Sequence, residues 1–344
     1  MISKTSSRTS SVMSAASIAA ACALFAGCGG SGGGGIPIGP TPPPSNGSMY
    51  ITDASNESGV QEIDQVLVFP QSAKGGQLPS QQIIGTSTGL SVPQGVAVDN
   101  AGNIWVTNSN TSSITEYPPG ANGNQAPINT VIGNATGLST PVGIWIDSSQ
   151  HIWVANFSSN SVVEYGPNPT GNQAPIATIA GATTLLNQPQ YLAVDANGYV
   201  YVTNINSNTI TIYAPGATGN VAPYVFFGGN CNQPDGISLD AAGHIYVSCD
   251  FDATVREYTA LNGTNRPTQT RGLGIGSPNP NLYNPSGIAV NSLGTLFVAN
   301  SGFVGNQFGY ITIYGPGYTN ASFPGATLGG GNSFLIRPAG IALH

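Results

Sequence analysis

Few charges, many turn-forming residues and a motif that recurs six times predict an all-β protein shaped as a closed ring of four-stranded sheets. Only 6% of the 344 residues are charged, and the chain has 47 Gly and 26 Pro. Such a composition, with many β-branched residues, favours short strands joined by turns. The recurring motif makes the prediction specific, because a ring of similar sheets needs one copy of the motif in each sheet.

The motif is clearest at its first strand. The heptapeptides PQGVAVD at 93–99 and PDGISLD at 234–240 are copies of one pattern. Other copies begin at Pro141, Pro189, Pro285 and Pro338, so that successive prolines are 48, 48, 45, 51 and 53 residues apart. Four β-like runs per interval of this length match the blades of a six-bladed β-propeller.

The remaining runs of each copy follow in a fixed order. The second run is Ile104–Asn108 and its copies, the third ends in an aromatic residue such as Tyr117, and the fourth resembles residues 128–133. Turn residues such as Ala101-Gly102-Asn103 separate them. Each copy therefore predicts four antiparallel strands.

The two ends of the repeat region complete the ring. Residues 49–55 match a second strand that has no first strand before it, and Pro338–His344 match a first strand. Pairing the C-terminal strand with the N-terminal blade gives the sixth blade. Closure of the ring also removes exposed sheet edges that would favour aggregation.

The start of the chain has the pattern of an export signal. Lys4 and Arg8 precede an apolar run at 12–26, and small residues follow. The ending Ala26-Gly27-Cys28 resembles the lipobox of bacterial lipoproteins, which implies that Cys28 carries a lipid. An ordinary signal peptide with an incidental Cys is the alternative. The apolar run is too short for a stable transmembrane helix.

The domain boundaries follow from these segments. We predict a signal peptide at 1–27, a Gly/Pro-rich tether at 28–48 and the propeller at 49–344. The residue after Cys28 is Gly29 instead of an Asp, which by the lipoprotein resemblance favours the bacterial outer membrane. The sequence therefore predicts an exported, lipid-anchored protein of the cell envelope.

Charge excludes one class of partner. The net charge is −7, from 7 basic and 14 acidic residues, and two of the basic residues lie in the predicted signal. The Lys and Arg residues form no cluster. Because nucleic-acid binding requires a basic face, we exclude it.

Polar residues that recur in every copy are more easily explained by structure than by chemistry. An acidic residue ends four of the first strands: Asp99, Asp147, Asp195 and Asp240. A ring of metal sites is one interpretation, but turn caps that accept backbone N–H groups explain the recurrence better. His151 and His244 lie in the turns after these residues and lack metal-ligand spacing, so we interpret them as surface residues.

Residues that do not recur indicate function. The position between Pro and Gly of each first strand lies near one mouth of the channel, and its residues are Gln94, Val142, Gln190, Asp235, Ser286 and Ala339. Asp235 alone is charged. We therefore predict that this mouth binds the ligand, with Asp235, Gln94 and Gln190 among the binding residues.

Two family resemblances follow from these motifs. The tandem copies resemble NHL repeats over residues 49–344. The segment from Pro234 to Val247 is also similar to a blade of the gluconolactonase/senescence-marker propellers, which implies a metal-binding and catalytic role for Asp235. Gln190 stands where that family has an Asn, and none of the six mouth positions has the family's Glu. We expect no cofactor beyond weakly bound Ca²⁺ at the mouth, because Ca²⁺ needs several oxygen ligands.

Trp145 is the second residue that breaks the pattern. It stands where the other first strands have Ala or Ser, such as Ala97 and Ser238. Its indole either fills the core or forms a stacking surface for a sugar or other flat ligand. We include Trp145 among the predicted ligand-binding residues.

The last two cysteines fall in one blade. Cys231 precedes the first strand of the fifth blade, and Cys249 ends its second strand. Neighbouring antiparallel strands bring these two points together, and an exported protein meets an oxidising compartment. We predict a disulfide between them.

These features favour a non-enzymatic binding or scaffold lipoprotein, which we expect to be a monomer. Its ligand would be a small molecule, a glycan or a protein, and it would contact the membrane through its lipid. The alternative is a metal-dependent hydrolase or lyase of the gluconolactonase or streptogramin-lyase type. A second carboxylate reaching Asp235 from a loop would favour that alternative.

Overall fold

A computed structural model describes residues 47–54, 63–228, 230–274, 281–302, 308–319, 322–330 and 333–344. All of them belong to one structural unit, Pro44–His344. The predicted signal peptide, Cys28 and nearly all of the predicted tether lie outside the described residues. No helix among the described residues is long and apolar enough to cross a bilayer.

The described residues form six four-stranded antiparallel sheets, each of which is one blade of a β-propeller. Blade 1 contains β1 (Ser48–Ala54), β2 (Asp64–Pro70), β3 (Gln81–Ile84) and β24 (Pro338–Leu343), and blade 2 contains β4 (Pro93–Val98), β5 (Ile104–Asn108), β6 (Ser113–Tyr117) and β7 (Asn129–Val131). Blade 3 contains β8 (Pro141–Ile146), β9 (Ile152–Asn156), β10 (Ser161–Tyr165) and β11 (Ala177–Ala180), followed by a short 3₁₀ helix (Ala182–Thr184).

The other three blades repeat this order. Blade 4 contains β12 (Pro189–Val194), β13 (Val200–Asn204), β14 (Thr209–Tyr213) and β15 (Val225–Gly228), and blade 5 contains β16 (Pro234–Leu239), β17 (Ile245–Cys249), β18 (Thr254–Tyr258) and β19 (Gln269–Leu273). Blade 6 contains β20 (Pro285–Val290), β21 (Leu296–Asn300), β22 (Tyr310–Tyr314) and β23 (Ala326–Gly329). The predicted six-bladed propeller is confirmed.

The ring closes as the sequence predicts. Strand β24 is the innermost strand of blade 1 and pairs with β1, with Met49 opposite Leu343 and Ile51 opposite Ile341. Backbone bonds between Ser48 and His344 extend this pairing, at 2.7 and 3.0 Å. The N- and C-terminal ends of the repeat region are thus held together by one sheet.

The core lies between the blades. Each hydrophobic cluster combines residues of adjacent blades; one joins Val66 and Ile83 of blade 1 to Val96, Ile104 and Tyr117 of blade 2. The second strands of blades 2 to 6 are buried along their whole length, as in β5. A single blade cannot cover its apolar faces alone, so stability depends on the stacking of neighbours.

Hydroxyl groups tie adjacent innermost strands together. Thr107 Oγ1 accepts from the N–H of Gly95 at 2.8 Å and donates to the carbonyl of Val142 in the next blade at 2.6 Å. Thr203 and Ser248 do the same toward the carbonyls of Asp235 and Ser286, at 2.6 and 2.5 Å. The backbone at the channel mouth is therefore fixed by the strands behind it.

The recurrent acidic residues are turn caps, as predicted. Asp99 Oδ1 accepts from the N–H groups of Ala101 and Asn103 at 2.9 and 2.8 Å, and Asp99 Oδ2 accepts from the indole N–H of Trp105 at 3.2 Å. Asp147, Asp195 and Asp240 make equivalent bonds. These side chains stabilise the turns between first and second strands.

Candidate functional site

The channel mouth predicted from the repeat is a cavity of about 340 Å³. Five of the six predicted mouth positions line it: Gln94, Gln190, Asp235, Ser286 and Ala339. Val142 does not line this cavity and is buried. The remaining lining residues come mainly from the ends of second strands and the loops after them: Ala54, Val92, Tyr191, Ile205, Asp250, Ser301 and Arg337.

Polar side chains from several blades converge in this cavity. The carbonyls of Gln94 and Asp235 accept from Thr52 and Thr203, which fixes their backbone. Among the described residues, the side chains of Gln94, Gln190 and Asp235 have no hydrogen-bond partner. These three side chains are half-buried, so they can bond water or a ligand that enters the cavity.

Asp235 lies in an environment that disfavours its charge. Burial, and secondarily the negative charge of Asp250, raise the pKa of the Asp235 carboxyl to about 8. Burial also raises the pKa of Asp250, opposed by a hydrogen bond from Asn284 and the charge of Arg337. Shifts of this kind in a cleft are a recognised sign of a functional site.

Asp250 is the second carboxylate at the mouth, and the sequence analysis missed it. Its Oδ1 is buried and has no hydrogen-bond partner among the described residues. Asp250 follows Cys249 at the end of β17, where other blades have Ser109, Phe157 or Ser301. A comparison of the residues that follow each second strand would have found it, because it alone is charged.

Tyr191 was also missed, and it forms the floor of the mouth. Each of the other five first strands has a Gly at this position, where an added Cβ would meet the backbone of the next blade; at Gly143 it would lie 2.6 Å from Tyr191 Cα. The Tyr191 hydroxyl donates to the carbonyl of Gln94 at 3.3 Å, which joins blade 4 to blade 2. Burial, followed by the charge of Asp235, raises the pKa of Tyr191 well above its ordinary value.

The channel therefore has two compartments with Tyr191 between them. Tyr191 also lines an inner cavity of about 250 Å³, whose other walls are largely aliphatic and include Trp145. The structure thus places Trp145 and Asp235 in different cavities. The two residues that break the repeat face different environments, one apolar and one polar.

The mouth does not fit a resident divalent cation well. Asp235 and Asp250 are the two carboxyl groups in its described lining, and the positive charge of Arg337 acts on Asp250. Among the described residues, three side chains of metal-ligating types lie close together in blade 3: Asp147, His151 and Glu164. None of them lines the mouth. In this group, His151 Nδ1 is 2.7 Å from Glu164 Oε1. Ca²⁺ takes six to eight oxygens with carboxylates among them, and the described lining of this mouth supplies two carboxyl groups next to the positive charge of Arg337.

The predicted disulfide is present in the structure. Cys231 and Cys249 are bonded, with their Cα atoms 5.3 Å apart. Both residues are buried. The bond fixes the loop before β16 to the end of β17, directly beside Asp250.

Comparisons with known proteins agree with this architecture. A family model for the NHL repeat matches residues 90–117. Similar solved structures include a protein of unknown function from Bacteroides caccae, at 12% identity over 86% of this chain and 98% of that chain, with a TM-score of 0.61. A candidate 6-phosphogluconolactonase from Bacteroides fragilis matches at 12% identity over 87% and 85%, with a TM-score of 0.58.

Virginiamycin B lyase from Staphylococcus aureus matches over 66% of this chain and 70% of its own, at 15% identity and a TM-score of 0.47. No curated protein sequence matches the chain. At these identities, similarity to solved structures shows the fold alone. The function has to be argued from the residues of the site. The chain is a six-bladed β-propeller that carries an NHL repeat.

Proposed function

We propose that this protein is a non-enzymatic binding protein of the bacterial cell envelope, and that the channel mouth around Asp235 binds a small, neutral, polyhydroxylated ligand. The observation that carries the proposal is the set of unpaired polar side chains in one cavity. Gln94 and Gln190 offer both donors and acceptors, the protonated Asp235 carboxyl offers a donor and an acceptor, and Asp250 offers an acceptor.

The size and charge of the mouth support a sugar-like ligand. A cavity of about 340 Å³ is at the lower end of the range for small-molecule sites. Several hydroxyl groups on one ligand would pair with the Gln94, Gln190 and Asp235 side chains, which have no partner among the described residues, and with the unpaired Oδ1 of Asp250. The strands behind the mouth fix its backbone, so the site is preorganised and little conformational entropy is lost on binding.

A calorimetric titration with monosaccharides and aldonolactones tests this proposal. We expect at least one of them to bind, and Asp235→Ala to weaken that binding at least tenfold with little change in melting temperature. Val142→Ala is the matched control, because Val142 occupies the position of Asp235 in blade 3 and does not line the mouth. The proposal fails if Asp235→Ala lowers stability by more than about 2 kcal/mol and no ligand distinguishes it from the wild type.

We further propose that Cys28 carries a lipid and that the propeller is displayed at the outer membrane. The Ala26-Gly27-Cys28 ending and the Gly/Pro-rich segment after it support this location. The disulfide adds support, because such bonds persist mainly in exported proteins.

Fractionation of cells that express Cys28→Ser tests the lipid anchor. We expect the variant to appear in the soluble fraction, while the wild type partitions with membranes. A variant that still partitions with membranes contradicts the assignment.

A hydrolase or lyase is the second candidate, and one observation favours it. Asp250 is a second carboxylate beside Asp235, and two carboxyl groups whose pKa values differ can act as an acid and base pair. The same panel of lactones decides between the candidates. Product formation that is lost in both Asp235→Asn and Asp250→Asn would favour the enzyme, and binding without product formation would favour the binding protein.

A further inference from the structure

The inner compartment of the channel is a separate cavity, and its shape follows from one position of the repeat. The fifth residue of each innermost strand is small in five blades and Trp145 in blade 3. Of the small residues, Ala97, Ser238, Ala289 and Ala342 line the cavity together with Trp145. Small side chains leave about 250 Å³ open beside the indole. Trp145 packs against core residues of blades 3 to 5, but the space on its channel side stays open.

The side chains that line this cavity are apolar except for Trp145, Tyr191 and Ser238, although polar atoms contribute a substantial part of its surface. Most lining residues are Val, Ile, Leu and Ala. The indole N–H of Trp145 has no hydrogen-bond acceptor among the described residues, although enclosed Trp N–H groups usually have one. Ser238 Oγ accepts from the Val290 N–H at 3.3 Å, which leaves its own hydrogen free to donate.

The other two tryptophans show what a structural Trp does in this fold. Trp105 and Trp153 are buried, and their N–H groups donate to the capping residues Asp99 and Asp147 at 3.2 and 3.1 Å. Trp145 is partly open to the channel and lacks such a partner. Its indole face and N–H are thus available to a molecule inside the cavity.

We propose that the inner channel is a second binding site, which takes a small aromatic molecule that carries one hydrogen-bond acceptor such as a carbonyl oxygen. The ring packs between the Trp145 indole and the aliphatic walls, and the acceptor pairs with the Trp145 N–H. A cavity of about 250 Å³ is large enough for one aromatic ring. This site is independent of the sugar-like ligand proposed for the mouth, because Tyr191 lies between them.

Two probe molecules of nearly equal shape test the proposal by ligand-observed NMR titration. Acetophenone has a carbonyl acceptor, and ethylbenzene does not. We expect acetophenone to bind the wild type more tightly than ethylbenzene, and Trp145→Phe to weaken acetophenone roughly fivefold while leaving ethylbenzene nearly unchanged. Ala289→Leu fills the cavity from the opposite wall, and we expect it to abolish binding of both probes.

Asp235→Asn is the control that separates the two compartments, and it should leave acetophenone binding unchanged. Melting temperatures of all variants establish that they are folded. Equal binding of acetophenone by the wild type and Ala289→Leu would overturn the proposal, as would the absence of saturable binding to the wild type at millimolar acetophenone. Loss of acetophenone binding in Asp235→Asn would show one joined site and would also overturn it.

Discussion

Blades 2 and 5 have the same backbone plan but differ at the channel mouth. In blade 2, Asn108 Oδ1 accepts from the N–H of Ser91 at 3.0 Å, which fixes the loop that leads into β4. Blade 5 has Cys249 at the equivalent position, and the disulfide to Cys231 fixes the corresponding loop. The N–H equivalent to that of Ser91 belongs to Asn232, and it donates to Asp252 Oδ2 at 2.9 Å.

The side chains at the mouth differ more than the supports behind them. Ser109 of blade 2 donates to the Val92 carbonyl at 3.0 Å, while Asp250 of blade 5 has a buried oxygen without a partner among the described residues. Gln94 is neutral, and Asp235 is an acid whose ionisation is suppressed. The comparison shows that both blades fix the loop before the first strand, although by different bonds. The side chains at the mouth are not needed for this and can differ from blade to blade.

The largest expected effect tests what both blades depend on, which is closure of the ring. Deletion of 338–344 removes the innermost strand of blade 1 and its ladder to β1. We expect a loss of roughly 5 kcal/mol or more, because backbone groups and apolar side chains such as Ile341 lose their partners. Hydrogen exchange should show that blades 2 and 5 both lose protection. Unchanged protection in blade 5 would show that the blades unfold independently.

A smaller effect tests whether the two loop supports are equivalent. Cys231→Ala/Cys249→Ala should lower the unfolding free energy by about 3 kcal/mol, as expected for a disulfide that closes a loop of this length. Cys231→Leu/Cys249→Asn gives blade 5 the residues of blade 2, and the new Asn should recover about 1 kcal/mol by accepting from Asn232. Denaturant titrations of the two variants measure the difference. Equal stabilities would show that the arrangement of blade 2 does not transfer to blade 5.

The smallest effect concerns the charge at the mouth. Because the folded-state pKa of Asp235 is raised to about 8, its protonated form contributes stability that is complete below pH 4 and is lost as the pH rises through 8. Asp235→Asn cannot ionise, so we expect it to gain at least about 1 kcal/mol relative to the wild type between pH 5 and pH 9. Gln94→Asn is the control and should follow the wild type.

Asp53 also makes the protein less stable as the pH rises. This contribution is the same in the wild type and in Asp235→Asn, so it cancels when the two are compared. Burial raises the pKa of Asp53 to about 6, against hydrogen bonds from Ile336, Arg337 and Gln65. Wild type and Asp235→Asn share this contribution, so their difference isolates Asp235. A constant difference between pH 5 and pH 9 would contradict the raised pKa of Asp235.

The sequence by itself determined the architecture. Six copies of one pattern, each with four short runs, predicted the blades, and the partial copies at 49–55 and 338–344 predicted the closing strand. The recurrence of Asp99 and its copies predicted turn caps, because a residue that recurs in most blades is expected to have a structural role in each of them. These predictions succeeded since strand pairing and turn chemistry depend on local patterns that repeat along the chain.

Only the tertiary structure decided which residues share a cavity. Asp235, Gln94 and Gln190 could be placed at one mouth from the repeat alone, but Asp250 and Tyr191 reach the channel from positions outside this set. Trp145 and Asp235 both break the pattern, yet the Tyr191 side chain between them puts them in separate compartments. The direction and length of side chains from different blades set these contacts, and no spacing along the sequence encodes the distances between blades around a ring.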